Sequence, residues 1–436
     1  MPVAQTLAQK IVARAAGRAA VNPGEIVTCK VDLAMFHDSS GPRRLQPMLE
    51  RLGAKVWDPG RIVLITDHFL PADDEDSREI QRVTRDWART VGVKNFYDGI
   101  GICHVVLPEK GHLRPGMFAV GGDSHSPTGG AFGAYMFGIG ATEMLGVVVT
   151  GEIWLRVPET ILLSWRGRLR DGVTAKDMML FLAGRFGLDG AHYQAVEFDG
   201  EAIAALPMQE RMTLANMCAE IGAQTGLIAP DEVTRAYLRS AGVREIETDG
   251  WHTDPQAPLR ERHDFDAAAL VPQVAAPHSP ANARPVSDFS GTRVDVAYIG
   301  ACTGAKLEDL RMAARVLKGR KAAIELIVAP ASLKDQETAR AEGTLGVLEA
   351  AGAKLFATAC GACAGYGYRF GPNLNIISSI ARNFKGRMGD PASNVYLGSP
   401  YTVAAAAVRG TIGDPRDFLV EREATVIGQL QEGVKR

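Results

Sequence analysis

Six cysteines occur in this chain, and three of them stand where a thiolate could meet a metal. Cys302 lies in the glycine-flanked turn Gly300-Ala301-Cys302-Thr303-Gly304, and Cys360 and Cys363 form a C-x-x-C. Each site follows a short apolar run that reads as a strand, 294–299 in one case and 354–357 in the other. In open α/β sheets, ligands gather outside the carboxyl ends of strands, so loops distant in sequence converge there. Three thiolates with glycine-rich backbone N–H groups suit an iron–sulfur cluster. A cubane of four irons held by three cysteines leaves one iron without a protein ligand, and that position could polarise a substrate oxygen and help hydroxide leave. The C-x-x-C alone is equally compatible with a redox pair or half of a zinc site, and spacing leaves these open. Cys29, Cys103 and Cys218 stand singly among apolar neighbours and read as small core residues. In a chain this long, six cysteines do not make a disulfide framework.

The histidines give a second signal. Asp67-His68 ends the apolar run 61–66, His104 follows Gly99-Ile100-Gly101-Ile102-Cys103, and Asp123-Ser124-His125 closes the run 117–121. An Asp beside a His orients the imidazole, stabilises its charged form and makes an acid–base unit. Any one of them alone suits a structural histidine; their shared place at strand ends, alongside the cysteines, favours chemistry. Arg382 and Arg387 follow the C-x-x-C, and guanidinium groups clamp carboxylates in bidentate fashion. A solvated basic face is the plainer account of these arginines, but the intervening Phe384 and Gly386 suggest a packed turn.

The elements that must position these groups alternate between short apolar runs and helical patterns, the signature of an α/β chain. Strands are expected at 61–66, 117–121, 160–165, 195–198, 294–299, 323–328 and 354–357. Helices are expected at 77–90, 175–186, 208–221, 307–317 and 336–351. The Gly- and Ala-rich stretch 129–149 would let a helix and its neighbours approach closely. The Pro- and Ser-rich stretch 275–291 is the best linker candidate, dividing the chain into blocks 1–158, 159–274 and 292–436. No repeat at solenoid periods and no low-complexity tract appears.

Bulk composition narrows the class. At 436 residues two or three domains are expected, and the apolar share of 46% with 22% charged residues is that of ordinary globular domains. A formal net charge of −2 argues against nucleic-acid binding through a basic surface, although local arginines could bind small anions. No run approaches the ~20 apolar residues of a membrane span. The N-terminal stretch 1–25 is amphipathic and poor in acids, loosely like a mitochondrial presequence. A surface helix closed by Asn22-Pro23-Gly24 is the simpler reading, and the protein is expected in the cytoplasm.

Taken together, these residues resemble a known family. Gly122-Asp123-Ser124-His125 with the glycine-rich stretch after it is similar to the G-D-S-H-T…G-A-x-G-x-x-x-x-G-x-G signature of aconitases and 3-isopropylmalate dehydratases. DHFLP from Asp67, GICHVVLPEKG from Gly101, VEFDGEAI from Val196, CTGAKLEDLR from Cys302, CGACAG from Cys360 and RNFKGRMG from Arg382 complete a set in family order. The chain most resembles archaeal-type large subunits of 3-isopropylmalate dehydratase and homoaconitase.

The resemblance implies three α/β domains around a shared cluster site, without the swivelling fourth domain of full-length aconitases. It implies that Cys302, Cys360 and Cys363 ligate a 4Fe–4S cluster and that Asp67 and His68 protonate the departing hydroxyl. His104, Asp123, His125 and Glu197 would form the polar network around substrate and iron, with Arg382 and Arg387 on substrate carboxylate and Ser124 and Asn216 in support. The implied reaction is reversible removal and addition of water at a hydroxy di- or tricarboxylic acid. A separate small subunit would supply the missing domain, so the lone chain is expected to be nearly inactive.

The chain also departs from the family pattern. The usual G-S-C-T-N-G-R turn reads Gly300-Ala301-Cys302-Thr303-Gly304-Ala305-Lys306 here, and Ala381 replaces the usual Asn before R-N-F. Removing polar groups beside a buried cluster changes its hydrogen bonding and substrate fit. A paralogue acting on a smaller acid of methylmalate, dimethylmalate or maleate type is therefore a competing expectation. Two readings from other classes are a zinc or redox protein using the C-x-x-C alone, and a regulator that binds RNA once its cluster is lost; the near-neutral charge counts against the latter.

Overall fold

Ile62–Thr66 reads IVLIT, and every one of its residues is buried. That is the pattern of a strand covered on both faces, as parallel strands between helical layers must be. Leu33–His37 and Phe118–Gly121 are likewise buried throughout. These runs organise a computed structural model that describes residues 3–419. The stretch 420–436, which ends the third predicted block, lies outside the described residues.

Among the described residues the strands form four sheets. The first runs, edge to edge, Asn95–Asp98, Ile62–Thr66, Leu33–His37, Phe118–Gly121, Tyr135–Gly138, all parallel. Its winding reverses between Leu33–His37 and Phe118–Gly121, which opens a crevice at their carboxyl ends. The second sheet is also parallel, in the order Thr225–Ile228, Ala195–Asp199, Thr160–Arg166, Glu261–Asp266. The third has seven strands. Its parallel part runs Asn394–Gly398, Asn375–Ser378, Val296–Ile299, Glu325–Val328, Lys354–Leu355, and it reverses winding between Val296–Ile299 and Asn375–Ser378. A two-stranded antiparallel ribbon, Ile26–Lys30 with Glu152–Arg156, completes the set. This is the α/β architecture expected.

Helices Ala175–Phe186 and Leu307–Leu317 form where their apolar spacing predicts, and Glu75–Val91 extends the expected span at both ends. Three expectations are corrected. The helix predicted over 336–351 is two, Leu333–Ala341 and Thr344–Ala350, parted at Gly343 with φ 86°. The stretch 275–291 is no free linker: Gln273–Ala275 pairs antiparallel with Asn394–Gly398, and Ala283–Pro285 adds to it as the edge strand. Edge positions tolerate the prolines that made this segment look irregular. The N-terminal helix, Leu7–Ala15, is capped by Thr6 and Gln9 and is mostly buried, not superficial, because Leu7, Ala8, Ile11 and Val12 pack into the core.

Candidate active site

A cavity of about 320 Å³ opens where the reversal points of the first and third sheets face each other. Its lining brings together His68, His104, Asp123, Ser124, His125, Cys302, Cys360, Cys363, Arg382 and Arg387. From the first sheet, the chain leaves Ile62–Thr66 directly into Asp67 and His68. His68 Nδ1 lies 2.6 Å from Asp67 Oδ1, while Asp67 Oδ2 accepts from the Cys103 N–H at 2.7 Å. Burial alone would raise Asp67, but the His68 charge and hydrogen bond hold it at about 2. Burial likewise works against a charged His68, yet Asp67, Asp38 and Asp123 lift it to about 9. The pair is a carboxylate and an imidazolium across the neutral range.

Asp123, just past Phe118–Gly121, holds two elements at once. His104 Nε2, at the start of helix Cys103–Glu109, lies 2.7 Å from Asp123 Oδ1, and the same oxygen accepts the His125 N–H at 2.8 Å. Burial opposes the Asp123 charge, but His104 and its neighbours keep the carboxyl well below the usual range. His125 Nε2 in turn meets Glu220 Oε1 at 2.8 Å. Arg382 Nε donates to both oxygens of Glu220, at 2.7 and 2.9 Å, and its Nη1 donates to Ser124 Oγ at 2.8 Å. Burial and the Arg382 charge together lower the His125 pKa, so this imidazole favours its neutral form.

The three cysteines come from the third sheet's side. Cys302 follows Val296–Ile299 through Ala301, whose φ of 70° turns the chain sharply; Cys360 caps the short helix Gly361–Ala364 and Cys363 lies within it. The Cys360 N–H donates to the Asp67 carbonyl at 2.9 Å, which ties the thiol loop to the acid–base pair. Asn216 Nδ2 lies 3.2 Å from Cys302 Sγ. The hydrogen bond with Cys360 draws Cys363 down to about 6 against burial, aided by Arg387, while the same bond pushes Cys360 up. Burial pushes Cys302 up to about 12. Metal uptake must therefore release protons, as thiolate sites do. Asn216 Oδ1, Arg387 Nε and His37 Nε2 are buried without a hydrogen-bond partner among the described residues. Such orphaned atoms beside three convergent thiols are what a site built for an inorganic group leaves when only protein atoms are counted. The donor set fits a thiolate-held cluster better than the C-x-x-C alone would.

Glu197 does not join this site. It lies inside strand Ala195–Asp199, accepts from the Ala8 N–H at 3.3 Å and from Thr253 Oγ1, and is absent from the cavity lining. Glu220, behind the cavity wall, is the carboxylate that meets the site's His125 and Arg382 instead. The signal for Glu220 was available: it follows Asn216 by four residues, so helical winding places both on one face. His37 and Asp38 were also missed, although they end a strand as Asp67-His68 does. The His37 ring stacks on His68 with centroids 3.7 Å apart, and Asp38 accepts the N–H groups of His68 and Phe69 at 3.1 and 3.0 Å.

The aconitase family (aconitate hydratase) matches residues 9–292 and 287–410. The chain belongs to the aconitase family. It is 43% identical over 423 residues to 3-isopropylmalate dehydratase large subunit 1 of Methanopyrus kandleri, covering 95% of this chain and 100% of that one. It is 42% identical over 421 residues to the 3-isopropylmalate dehydratase large subunit of Moorella thermoacetica, with 95% and 99% covered. Among solved structures, Thermococcus kodakaraensis aconitase X (holo-form) superposes with a TM-score of 0.50 at 15% identity, over 83% of this chain and 88% of that chain. That likeness concerns the fold. Membership makes this aconitase-family chain a hydro-lyase. Among its described residues, no helix is long and apolar enough to cross a membrane.

Proposed function

We propose that the chain is the large subunit of an iron–sulfur hydro-lyase that reversibly dehydrates a hydroxy di- or tricarboxylic acid of the 3-isopropylmalate type. A separate small subunit would complete the site, and the complex would act in the cytoplasm. The observation that carries this is the cavity itself, where three thiols from two loops share walls with two arginines and with three histidines, each held by a carboxylate. Cys302, Cys360 and Cys363 would hold a 4Fe–4S cluster, which when bound supplies a Lewis-acidic iron with an open position.

The chain's own groups supply the acid, the carboxylate clamp and the positioning, while the base that takes the proton from the neighbouring carbon would come from the small subunit. Arg387 and the free edge of Arg382, both on the cavity wall, take substrate carboxylate. His68 holds a proton at neutral pH and gives it to the hydroxyl that departs as water, and Asp67 retains the charge balance. Asp123 fixes the His104 ring, and Glu220 fixes His125 and Arg382 together, so both rings meet substrate in one orientation.

A second reading, a paralogue hydrating a smaller methylmalate-, dimethylmalate- or maleate-type acid, is favoured by one feature. Ala301 and Ala381, on the cavity wall, lack the hydroxyl and amide of the family pattern, which changes the hydrogen bonding offered to the acid. The test is to reconstitute the chain anaerobically with iron and sulfide, combine it with a candidate small subunit, and screen unsaturated dicarboxylates for hydration. Turnover of an isopropylmaleate supports the first reading, turnover confined to smaller acids supports the second, and full activity without the small subunit contradicts the subunit arrangement.

A further inference from the structure

Behind the cysteine wall of the cavity, two lysine side chains end inside the protein. Lys306 is fully buried and its ammonium is paired, with Nζ 2.7 Å from Asp309 Oδ2 and further bonds to Thr213 Oγ1 and the Cys302 carbonyl. Lys176, in helix Ala175–Phe186, is buried to 1% exposure, yet no carboxylate pairs with it among the described residues. Its Nζ donates to the carbonyls of Ser379 and Ile380, at 2.5 and 2.7 Å, and to Thr303 Oγ1 at 3.3 Å. All three partners are neutral oxygens. A buried ammonium so placed is unfavourable unless an anion lies close by. Burial pulls its pKa down to about 7, and Lys306 repels it, while Asp309 and the thiolate forms of Cys302 and Cys363 act to restore it.

The neutral partners also show where Lys176 stands. Thr303 adjoins Cys302, and Ser379 and Ile380 lead into Ala381 and Arg382, so the ammonium bridges the two loops at the reversal point of the third sheet. Those loops are joined independently of it: Thr303 Oγ1 donates to the Ser379 carbonyl at 3.0 Å, and the Gly300 N–H donates to Ser379 Oγ at 3.0 Å. A lysine is not needed to close them. What Lys176 adds is charge.

We propose that Lys176 is a positioning residue that acts through charge, its buried ammonium offsetting the negative charge of a thiolate-held cluster. This rests on the reading that the three cysteines bind a cluster. Assembly brings three thiolates into a dry wall, and reduction adds one more electron, so a fixed cation behind the wall favours both.

The experiment uses the full-length chain reconstituted anaerobically with ferrous iron and sulfide, followed by a dithionite titration read by electron paramagnetic resonance. Lys176→Met removes charge and donors; Lys176→Gln removes the charge and keeps a donor for the loop carbonyls. In both, the equilibrium constant for one-electron reduction is expected to fall on the order of tenfold, a shift of about 59 mV to more negative potential. Wild-type potential in a cluster-loaded Lys176→Gln protein would overturn the proposal. Should the neutral variants fold but take up no cluster, Lys176→Arg is expected to restore uptake, and failure to do so would also overturn it. A wild-type chain that binds no iron and sulfide would defeat the cluster reading itself, and this inference with it, before any variant is compared.

Discussion

At the end of Ile62–Thr66 the chain delivers His68, backed by Asp67, into a cavity, whereas in the middle of Ala195–Asp199 it turns Glu197 into a packed junction with the N-terminal helix. Both strands lie in parallel sheets and both carboxylates are fully buried in protein. Their difference is position along the strand. The first and third sheets reverse winding where their carboxyl ends face each other, and the groups beyond those ends reach a shared space. The second sheet gives that space nothing from its strands; its contributions, Asn216 and Glu220, come from helix Met208–Met217 and the turn that follows it. Strand-end carboxylates here are paired with histidine, while the mid-strand one is satisfied by an amide and a hydroxyl.

Substitutions on either side of this contrast should separate cleanly. His68→Asn removes the proton that strand-end Asp67 stabilises, and kcat of the two-subunit enzyme is expected to fall by about 10²–10⁴-fold with iron content unchanged. An equal loss from Glu197→Gln would erase the distinction between the two carboxylates. Glu220→Gln, which loosens His125 and Arg382 without removing them, should cost about 10–100-fold in activity and raise KM as the Arg382 clamp slackens. A KM left at the wild-type value would show that Arg382 is held by Ser124 alone.

Glu197→Gln should act on stability instead. Burial lifts Glu197 from 4.5 to about 7, against the opposing bonds from Thr253 and Ala8, so the folded protein holds this proton more tightly than the unfolded chain. That contribution is complete below 4.5 and is lost as pH rises through about 7. Above neutral pH the amide variant is therefore expected to be more stable, on the order of 1–3 kcal/mol, with the gap closing towards acid pH and hydration activity near wild type. Urea unfolding at a series of pH values measures it, and a gap that widens on acidification would reverse the assignment.

Much of this contrast was legible in the sequence. The strand ends carrying Asp67-His68, Asp123-Ser124-His125 and Cys302 were readable because a buried parallel strand is a short, wholly apolar run that stops abruptly at polar residues. His37-Asp38 ends such a run too, but LAMFH follows another strand closely enough to hide it. Glu197 fell within a motif and was taken for a site residue, although its flanks, Val196 and Phe198, mark it as mid-strand. Glu220 carried only its spacing from Asn216 as a signal, because its partners, His125 and Arg382, are distant in sequence and meet only through tertiary packing. The proline-bearing stretch 275–291 looked irregular because local composition does not reveal that a segment will be captured at a sheet edge.

The central claim is that three thiolates hold a cluster with one iron left for the acid. Mössbauer spectroscopy of the chain reconstituted with isotopically enriched iron, recorded with and without an unsaturated dicarboxylate in the presence of the small subunit, tests it most directly. One iron site is expected to change its signal on addition of the acid while the others stay fixed, and Cys302→Ala is expected to lose the cluster. A full set of equivalent sites indifferent to the acid, or a Cys302→Ala protein that keeps its cluster, would contradict the account.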